Sequence, residues 1–220
     1  MSAIGSQAVA YALPSAPARP AWFGAAKRAI DVTLALLVLI LTLPIVLAAI
    51  VGIAIVSGGN PFLLQERVGR DGRRFRMVKL RTMVVDAHAM LPALRCHSEV
   101  DGPVFKMRND PRLHALGPLL RRTSVDELPN FVNVLFGDMA VVGPRPPLPE
   151  EVAHYDVYAL RRLVVKPGIT CLWQISGRSH LSFEEWMALD NRYIDSWSPL
   201  GDLAIVARTV PAVLRGVGAH

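Results

Sequence analysis

The sequence predicts an α+β protein, mostly helical with a small β-hairpin, that is held at a membrane by one N-terminal apolar segment. Three observations lead to this fold class. Residues 32–56 carry no charge, Asp71-Gly72 separates two short apolar runs, and the C-terminal part shows helix-start signals and helical apolar spacing. The predicted organisation is a tail over residues 1–24, a membrane segment over 25–58 and a soluble domain over 59–220.

The membrane segment is long enough to cross a bilayer, and Pro44 lies at its middle. A straight helix over residues 32–56 would be about 37 Å long, whereas the hydrocarbon core is roughly 30 Å thick. A proline inside a helix removes a hydrogen bond and kinks the helix. Two topologies therefore stay open: a spanning helix that tolerates Pro44, and a re-entrant helix that returns to the face from which it entered.

The charges around the apolar run indicate which side the soluble domain occupies. Arg19, Lys27 and Arg28 precede the run, and the stretch 65–83 that follows it contains seven basic and two acidic residues. Cytoplasmic flanks are enriched in Lys and Arg, so the domain is predicted to be cytoplasmic, and the basic N-terminal flank fits the re-entrant topology. Beside a membrane anchor, lipid headgroups are a simpler partner for this charge than nucleic acid.

Residues 1–20 are rich in Ala, Pro and Ser and lack a basic start, so they are predicted to be a disordered tail and not a signal peptide. Cys96 and Cys171 are far apart in the chain, and neither they nor the six histidines show a metal-binding spacing. This cysteine usage suits a reducing compartment and argues against a disulfide scaffold.

The first elements of the soluble part are a hairpin and a short helix. The runs Phe62–Val68 and Phe75–Leu80 flank Asp71-Gly72, which is a strong hairpin turn signal. Further along the chain, Asp110-Pro111 is predicted to start a helix, with Asp as the cap and Pro at the first position.

Two helices are predicted near the C-terminus. Ser182 and Glu185 form a capping box, and the helix that they begin is predicted to run to about Trp197. The stretch Pro199–Arg215 has apolar residues at helical spacing and is bent by Pro211. This last helix is expected either to pack on the core or to lie on the membrane surface.

The adjacent carboxylates Asp126 and Glu127 lie between an arginine pair and a Gly-Pro-Arg-Pro turn. One interpretation is structural, because Ser124 and Glu127 have capping-box spacing and acids are favoured in the first turn of a helix. The other interpretation is a phosphate site, because a helix N-terminus attracts anions and carboxylates can hold a metal or attack phosphorus. Pro129 predicts that the pair lies in an irregular first turn or just before the helix.

Several cations could share such a phosphate with the carboxylate pair. Arg122, Arg145 and Arg178 are candidate bidentate clamps, and Arg145 is held in an extended backbone between two prolines. Lys79 and Arg81 either end a basic strand near lipid headgroups or add phosphate contacts. Trp173 is expected to be part of the core or a platform near a nucleobase.

Taken together, these motifs resemble those of the bacterial sugar transferase family, the monotopic phosphoglycosyl transferases. The resemblance covers about residues 26–219. It rests on the proline-containing membrane segment and on five motifs: Lys79-Leu-Arg-Thr-Met83, Arg122-Thr-Ser-Val-Asp-Glu-Leu-Pro-Asn130, Val142-Gly-Pro-Arg-Pro146, Lys166-Pro-Gly-Ile-Thr170 and Trp173-Gln-Ile-Ser-Gly-Arg178. The chain looks most similar to short exopolysaccharide-type members and to the catalytic domains of larger ones.

The resemblance implies a re-entrant helix broken at Pro44, with both ends at the cytoplasmic face of the bacterial inner membrane. It implies transfer of a sugar-1-phosphate from a UDP-sugar to undecaprenyl phosphate, with Mg²⁺, through a phosphosugar ester on Asp126. Glu127 would be the partner of Asp126, and both would bind the metal. The substrate phosphates are expected to bind a set of basic residues: Lys79, Arg81, Arg122, Arg145 and Arg178. Such a reaction begins exopolysaccharide or glycoconjugate synthesis.

Two residues depart from the family pattern: Cys171 stands where glycine is common, and Asn130 stands where glutamine is common. Two other functions stay open, a membrane-anchored phosphohydrolase that uses the same carboxylates with water, and a basic lipid- or nucleic-acid-binding module without catalysis. The sequence leaves the transferred sugar and the oligomeric state open, a homo-oligomer included.

Overall fold

The computed structural model describes residues 13–15, 17–99, 105, 107, 109–176 and 181–215. Four short strands are present in this part of the chain: β1 (Phe62–Val68), β2 (Arg74–Leu80), β3 (Ala140–Val142) and β4 (Gly168–Thr170). The helices are α1 (Ala21–Ser57), α2 (Ala87–Leu94), α3 (Gly117–Arg122), α4 (Asn130–Phe136), α5 (Pro149–Val152), α6 (Val157–Leu160), α7 (Leu172–Ser176), α8 (Phe183–Ser196) and α9 (Pro199–Arg215). The chain is thus an α+β protein with one long apolar helix, as predicted.

Helix α1 contains the predicted membrane segment. It is helical from end to end with Pro44 inside it, and among the described residues it is the one helix long and apolar enough to cross a membrane. Pro44 has no N–H to donate, and the Thr42 hydroxyl donates to the Val38 carbonyl at 2.7 Å. Such side-chain bonds to the preceding turn favour helix bending. The middle of the helix presents its apolar side chains outward, with Ile40 70% exposed.

Both ends of α1 pack against the same soluble domain. Near its start, Lys27 forms ion pairs with Asp31 at 2.9 Å and with Asp202 of α9 at 2.8 Å. The Asp31 carboxylate also accepts a bond from the Val141 N–H of β3 at 2.9 Å. Near its end, the fully buried Ile53 belongs to a cluster of apolar side chains that includes Leu80 and Leu120. The exposed middle of the helix is therefore flanked by two arms that are anchored on one domain.

The hairpin prediction is confirmed. Strands β1 and β2 pair antiparallel, with Phe62 opposite Leu80. Asp71 (φ 59°) and Gly72 (φ 74°) both adopt the left-handed conformation that an Asp-Gly turn favours. The connection is a three-residue loop, Arg70–Gly72, because the Gly69 N–H donates to the Arg73 carbonyl at 2.7 Å.

A second pair of strands was not predicted. Strands β3 and β4 run parallel, with Ala140 beside Gly168. They are three residues long and approach so closely that a Cβ on Gly168 would lie 2.1 Å from the Gly143 nitrogen. Only glycine allows this distance. The pair fixes the start of the Gly-Pro-Arg-Pro turn, which leaves β3 at Gly143.

The predictions for the C-terminal helices are confirmed, and the one for residue 110 is wrong. Ser182 and Glu185 form the reciprocal capping box at the start of α8, and α9 spans Pro199–Arg215. Helix α9 packs on the core, since Ile205 is buried in the main apolar cluster. Asp110-Pro111 forms a turn instead of a helix start, because the Asp110 carboxylate binds the backbone N–H and guanidinium of Arg112.

Trp173 belongs to the core. It is 7% exposed and stacks on Trp186 with the ring centroids 4.7 Å apart. The Cys171 thiol lies in the same apolar cluster, and its pKa is raised well above its ordinary value because it is buried. The expectation of a nucleobase platform at Trp173 is therefore wrong.

Candidate active site

The carboxylate pair lies in a single 3₁₀ turn, Val125–Glu127, directly before α4. Ser124 has a left-handed backbone (φ 56°), and its side chain makes no capping bond. The capping-box interpretation of Ser124 and Glu127 is therefore wrong, while the irregular first turn expected from Pro129 is confirmed. With its side chain free of a capping role, Glu127 points to a different partner.

That partner is Lys79 of β2. Its Nζ lies 2.6 Å from Glu127 Oε1, so the hairpin and the carboxylate turn meet at this ion pair. The side chain of Lys79 is 17% exposed and that of Glu127 is 35% exposed. Since water reaches both groups, the pair contributes little to stability by itself. The pair also holds the positive charge of Lys79 near Asp126.

Asp126 is buried, and its neighbours tune its ionisation. Burial raises the pKa of its carboxyl to about 6, an effect that the positive charges of Lys79 and Arg121 oppose and the negative charge of Glu127 reinforces. For Glu127, burial acts in the same direction, but the cations Lys79, Arg145 and Arg67 outweigh it and lower its pKa. Two adjacent carboxyl groups thus differ in proton affinity, a pattern typical of functional sites.

The two carboxylates also differ in access. Glu127 lines a small cleft of about 30 Å³ together with Lys79, Arg145, Arg67 and Asn130. Asp126 is 7% exposed and is not among the residues that line this cleft. The cleft is therefore walled by three cationic side chains and one carboxylate.

The conformation of the Gly-Pro-Arg-Pro turn is fixed by bonds to its backbone. Arg67 Nη1 donates to the Pro146 carbonyl at 2.9 Å, and Arg162 Nη2 donates to the Arg145 carbonyl at 3.1 Å. The Arg145 guanidinium is 34% exposed and lies 3.8 Å from Glu151 Oε1. Arg145 is thus presented from a rigid loop and keeps donors available for a ligand.

Not every predicted phosphate-binding residue joins the cleft. Lys79 and Arg145 do. Arg81 instead donates to the Asn60 carbonyl at 2.7 Å, near the end of α1, and Arg122 is exposed on the surface. Arg178 lies outside the described residues.

Arg67 and Arg121 were missed by the sequence analysis. Arg67 is 4% exposed and lines the cleft. The hairpin contains a signal for Arg67. Gln65 lies opposite Met77 in the register of the two strands, and alternate residues of a strand lie on the same face of the sheet. Arg67, Met77 and Lys79 therefore face the same way. Arg121 donates to the Thr82 hydroxyl at 3.2 Å and acts on the charge of Asp126, and nothing in the sequence separated it from Arg122.

The donor set at the cleft suits a hard cation only in part. The described residues contain no group of three or more His, Cys, Asp or Glu side chains that could hold a metal. Asp126 and Glu127 supply carboxylates, and the buried Oδ1 of Asn130 has no hydrogen-bond partner in the described part of the chain. Mg²⁺ binds such oxygens when substrate phosphates complete its shell. These residues therefore fit Mg²⁺ as a shared ion and not as an ion held by the protein alone.

Comparison with known proteins identifies the family. The family model for bacterial sugar transferases matches residues 22–216. The chain is 45% identical to the galactosyl transferase CpsE of Streptococcus agalactiae over 88% of its own length and 43% of the relative. It is 38% identical to the exopolysaccharide production protein ExoY of Rhizobium meliloti, covering 90% of this chain and 89% of that protein.

A third relative has a name that describes its reaction. The UDP-glucose:undecaprenyl-phosphate glucose-1-phosphate transferase of Caulobacter vibrioides is 39% identical over 88% of this chain and 72% of its own length. The chain belongs to the bacterial sugar transferase family. It spans less than half the length of some of these relatives, such as the streptococcal protein, and nearly the full length of others.

Proposed function

We propose that the protein transfers a sugar-1-phosphate from a UDP-sugar to undecaprenyl phosphate and so begins the assembly of an exopolysaccharide or glycoconjugate. The observation that carries the proposal is the cleft that Glu127, paired with Lys79 and adjacent to Asp126 in the chain, lines together with Arg145. This cleft belongs to a chain with a long apolar helix and 39% identity to a transferase named for this reaction.

Asp126 is the proposed nucleophile. Its carboxylate oxygen attacks the phosphorus that bears the sugar, the bond from that phosphorus to the bridging oxygen breaks, and UMP leaves with the bonding electrons. An oxygen of undecaprenyl phosphate then attacks the same phosphorus and releases the carboxylate. A carboxylate is a weak nucleophile, so the positive charges around the diphosphate must stabilise the charge on the leaving group.

The neighbours of Asp126 have distinct roles in this proposal. Lys79 and Arg121 favour the ionised form of Asp126 against the effect of its burial. Arg145 is aimed into the cleft from its rigid loop and binds phosphate oxygens. Glu127 and Asp126, with the amide oxygen of Asn130, would hold Mg²⁺. The bound ion would supply positive charge to the substrate phosphates.

The contacts of α1 support the re-entrant topology at the cytoplasmic face. Lys27 and Asp31, at the start of the helix, and Ile53, near its end, all contact the soluble domain. A helix that crossed the bilayer would carry one of these ends to the opposite side. With both arms on one domain, the site is expected to lie near the headgroups, where undecaprenyl phosphate presents its phosphate.

The test measures UMP release and covalent labelling together. Purified protein with Mg²⁺ and a panel of UDP-sugars, including UDP-glucose and UDP-galactose, should release about one UMP per active enzyme without lipid acceptor and should turn over when undecaprenyl phosphate is added. Intact-protein mass spectrometry should show a sugar-phosphate adduct on Asp126. Asp126→Asn should neither label nor turn over, whereas Glu127→Gln should react slowly and still label.

Two results would contradict the mechanism in different ways. Activity in Asp126→Asn, or a need for both substrates before any UMP appears, would indicate direct transfer, with the carboxylates serving only the metal. Release of free sugar phosphate at the same rate with and without undecaprenyl phosphate would indicate a hydrolase.

A further inference from the structure

Two arginines line the cleft, Arg67 and Arg145, and no role has been assigned so far to Arg67. Arg67, on β1, is 4% exposed and lies in the cleft with Arg145. Among the described residues, no carboxylate oxygen comes within 4.0 Å of Arg67, and the only one that near to Arg145 is Glu151 Oε1 at 3.8 Å. A buried cation next to a second cation, without a close anion, is unfavourable for the folded protein.

The ionisation of Arg67 reflects this unfavourable electrostatic environment. Burial and the neighbouring charge of Arg145 lower the pKa of Arg67 to about 9, while Glu151 and Glu127 act in the opposite direction. The guanidinium therefore still carries its charge at neutral pH. An anion between Arg67 and Arg145 would remove the repulsion, and a diphosphate carries the charge needed.

The guanidinium of Arg67 is also oriented before any ligand binds. Its Nε and Nη2 donate to Gln65 Oε1 at 3.2 and 2.6 Å, and its Nη1 donates to the Pro146 carbonyl. Of the five N–H groups of an arginine, two stay available. These bonds hold the side chain in place, so little freedom is lost on binding.

We infer that Arg67 and Arg145 together form a two-guanidinium subsite for the diphosphate of the nucleotide sugar, with Arg67 as a direct phosphate ligand. This inference rests on the proposed function, because it names a part of the same substrate. It gives the cleft one arginine on β1 and one on the Gly-Pro-Arg-Pro turn, and each can bind phosphate oxygens through parallel N–H groups. The alternative is that Arg67 only ties the hairpin to the Arg145 loop through Pro146.

Binding measurements can separate a ligand contact from a structural tie. Calorimetric titration of the full-length, detergent-solubilised protein with UDP and with inorganic pyrophosphate, at fixed Mg²⁺, gives dissociation constants that need no turnover. Arg67→Gln should weaken both by about 100-fold or more, since two hydrogen bonds to a charged ligand are lost. Gln65→Ala keeps the charge of Arg67 and removes only the side chain that accepts two of its hydrogen bonds. This variant should therefore weaken binding by no more than about tenfold.

Two further variants make the test robust. Arg74→Gln removes an exposed hairpin arginine that pairs with Glu66 and should bind as the wild type does. Arg67→Lys keeps a positive charge in the same place, so it should unfold at a temperature near that of the wild type and yet bind UDP and pyrophosphate more weakly, because an ammonium cannot reproduce the planar fork. It serves in place of Arg67→Gln if that protein does not fold.

The outcomes that overturn the inference are distinct from those that overturn the proposed function. Wild-type affinity in folded Arg67→Gln or Arg67→Lys excludes a phosphate contact. An equal loss in Gln65→Ala and Arg67→Gln shows that the structure supported by Gln65, and not a phosphate contact of Arg67, sets the affinity. In either case the wild type would still release UMP. If the wild type binds neither UDP nor pyrophosphate and releases no UMP, the proposed function fails as well.

Discussion

At the scale of single residues, the site depends on the unequal environments of two neighbouring carboxyl groups. Asp126 is buried and holds its proton to a higher pH, whereas Glu127 faces Lys79 in the cleft and loses its proton at a lower pH. In the proposed mechanism, covalent attack requires the ionised form of Asp126. The proton on this one carboxyl is therefore expected to control the first half-reaction.

The rate of UMP release without acceptor should therefore depend on pH. With a pKa of about 6, Asp126 is ionised above that pH, and the rate should fall about tenfold per unit below it. Glu127→Gln removes a negative charge that raises the pKa of Asp126, so the acidic limb should move to lower pH. Rapid-quench measurements from roughly pH 5 to 8 test both statements, and a flat profile in the wild type would contradict them.

Arg145→Lys should lower turnover by at least about tenfold. Lysine cannot bind two phosphate oxygens in the plane of a guanidinium, and each hydrogen bond to a charged group contributes about 1.5–3 kcal/mol. Steady-state assays of UMP release measure the effect. Arg161→Lys is a matched control, because Arg161 also pairs with a carboxylate, that of Asp195, away from the cleft. Near-normal turnover of Arg145→Lys would remove Arg145 from the site.

At the scale of elements, local signals predicted local structure well. The Asp71-Gly72 turn and the Ser182 capping box specify conformations through residues close in sequence, and both are present. The capping signal at Ser124 failed because a distant residue, Lys79, offers Glu127 a charged partner. Arg67 was missed for a related reason, since its burial depends on the Pro146 loop. Contacts between distant segments do not appear in any short sequence window.

The contact between β3 and β4 is another such long-range feature. Adding one methyl group at this contact tests how much it contributes to stability. In Gly168→Ala, the new Cβ would meet backbone atoms of Gly143 that cannot move aside, so the loss of stability should reach the upper part of the usual range of about 1–3 kcal/mol for overpacking. Thermal unfolding measures this loss of stability. Activity should also fall, because the loop that carries Arg145 begins at Gly143. Gly24→Ala, which has open space around its Cβ position, is the control.

At the scale of the whole molecule, α1 is part of the domain as well as its membrane anchor. Ala35 and Ile53 are both fully buried, and they belong to two different apolar clusters of the soluble part. The division into a membrane segment over 25–58 and a catalytic domain over 59–220 stays a prediction. The packing of the helix indicates that the two parts depend on each other for their stability.

Residues 1–31 and the domain after residue 58 should lie on the same, cytoplasmic side. In a Cys96→Ser background, because Cys96 is exposed and Cys171 is buried, cysteines introduced at Ser15 and at Asn60 should both resist a membrane-impermeant thiol reagent in intact cells. Pro44→Leu restores a backbone N–H and should expose part of the Ser15 population outside. Labelling of the wild-type tail from outside would exclude the re-entrant topology.

The position of Ile53 has a consequence for how the protein responds to its lipids. Its apolar cluster includes Val125, next to Asp126, and Leu80, next to Lys79, so the C-terminal part of α1 packs against the segments that carry these two residues. A thinner or thicker bilayer changes the tilt that buries a fixed apolar length, and here a change in tilt would act on Val125, the residue before the proposed nucleophile Asp126. Turnover in nanodiscs should therefore pass through a maximum as acyl-chain length is varied, with Ile53→Ala flattening that dependence.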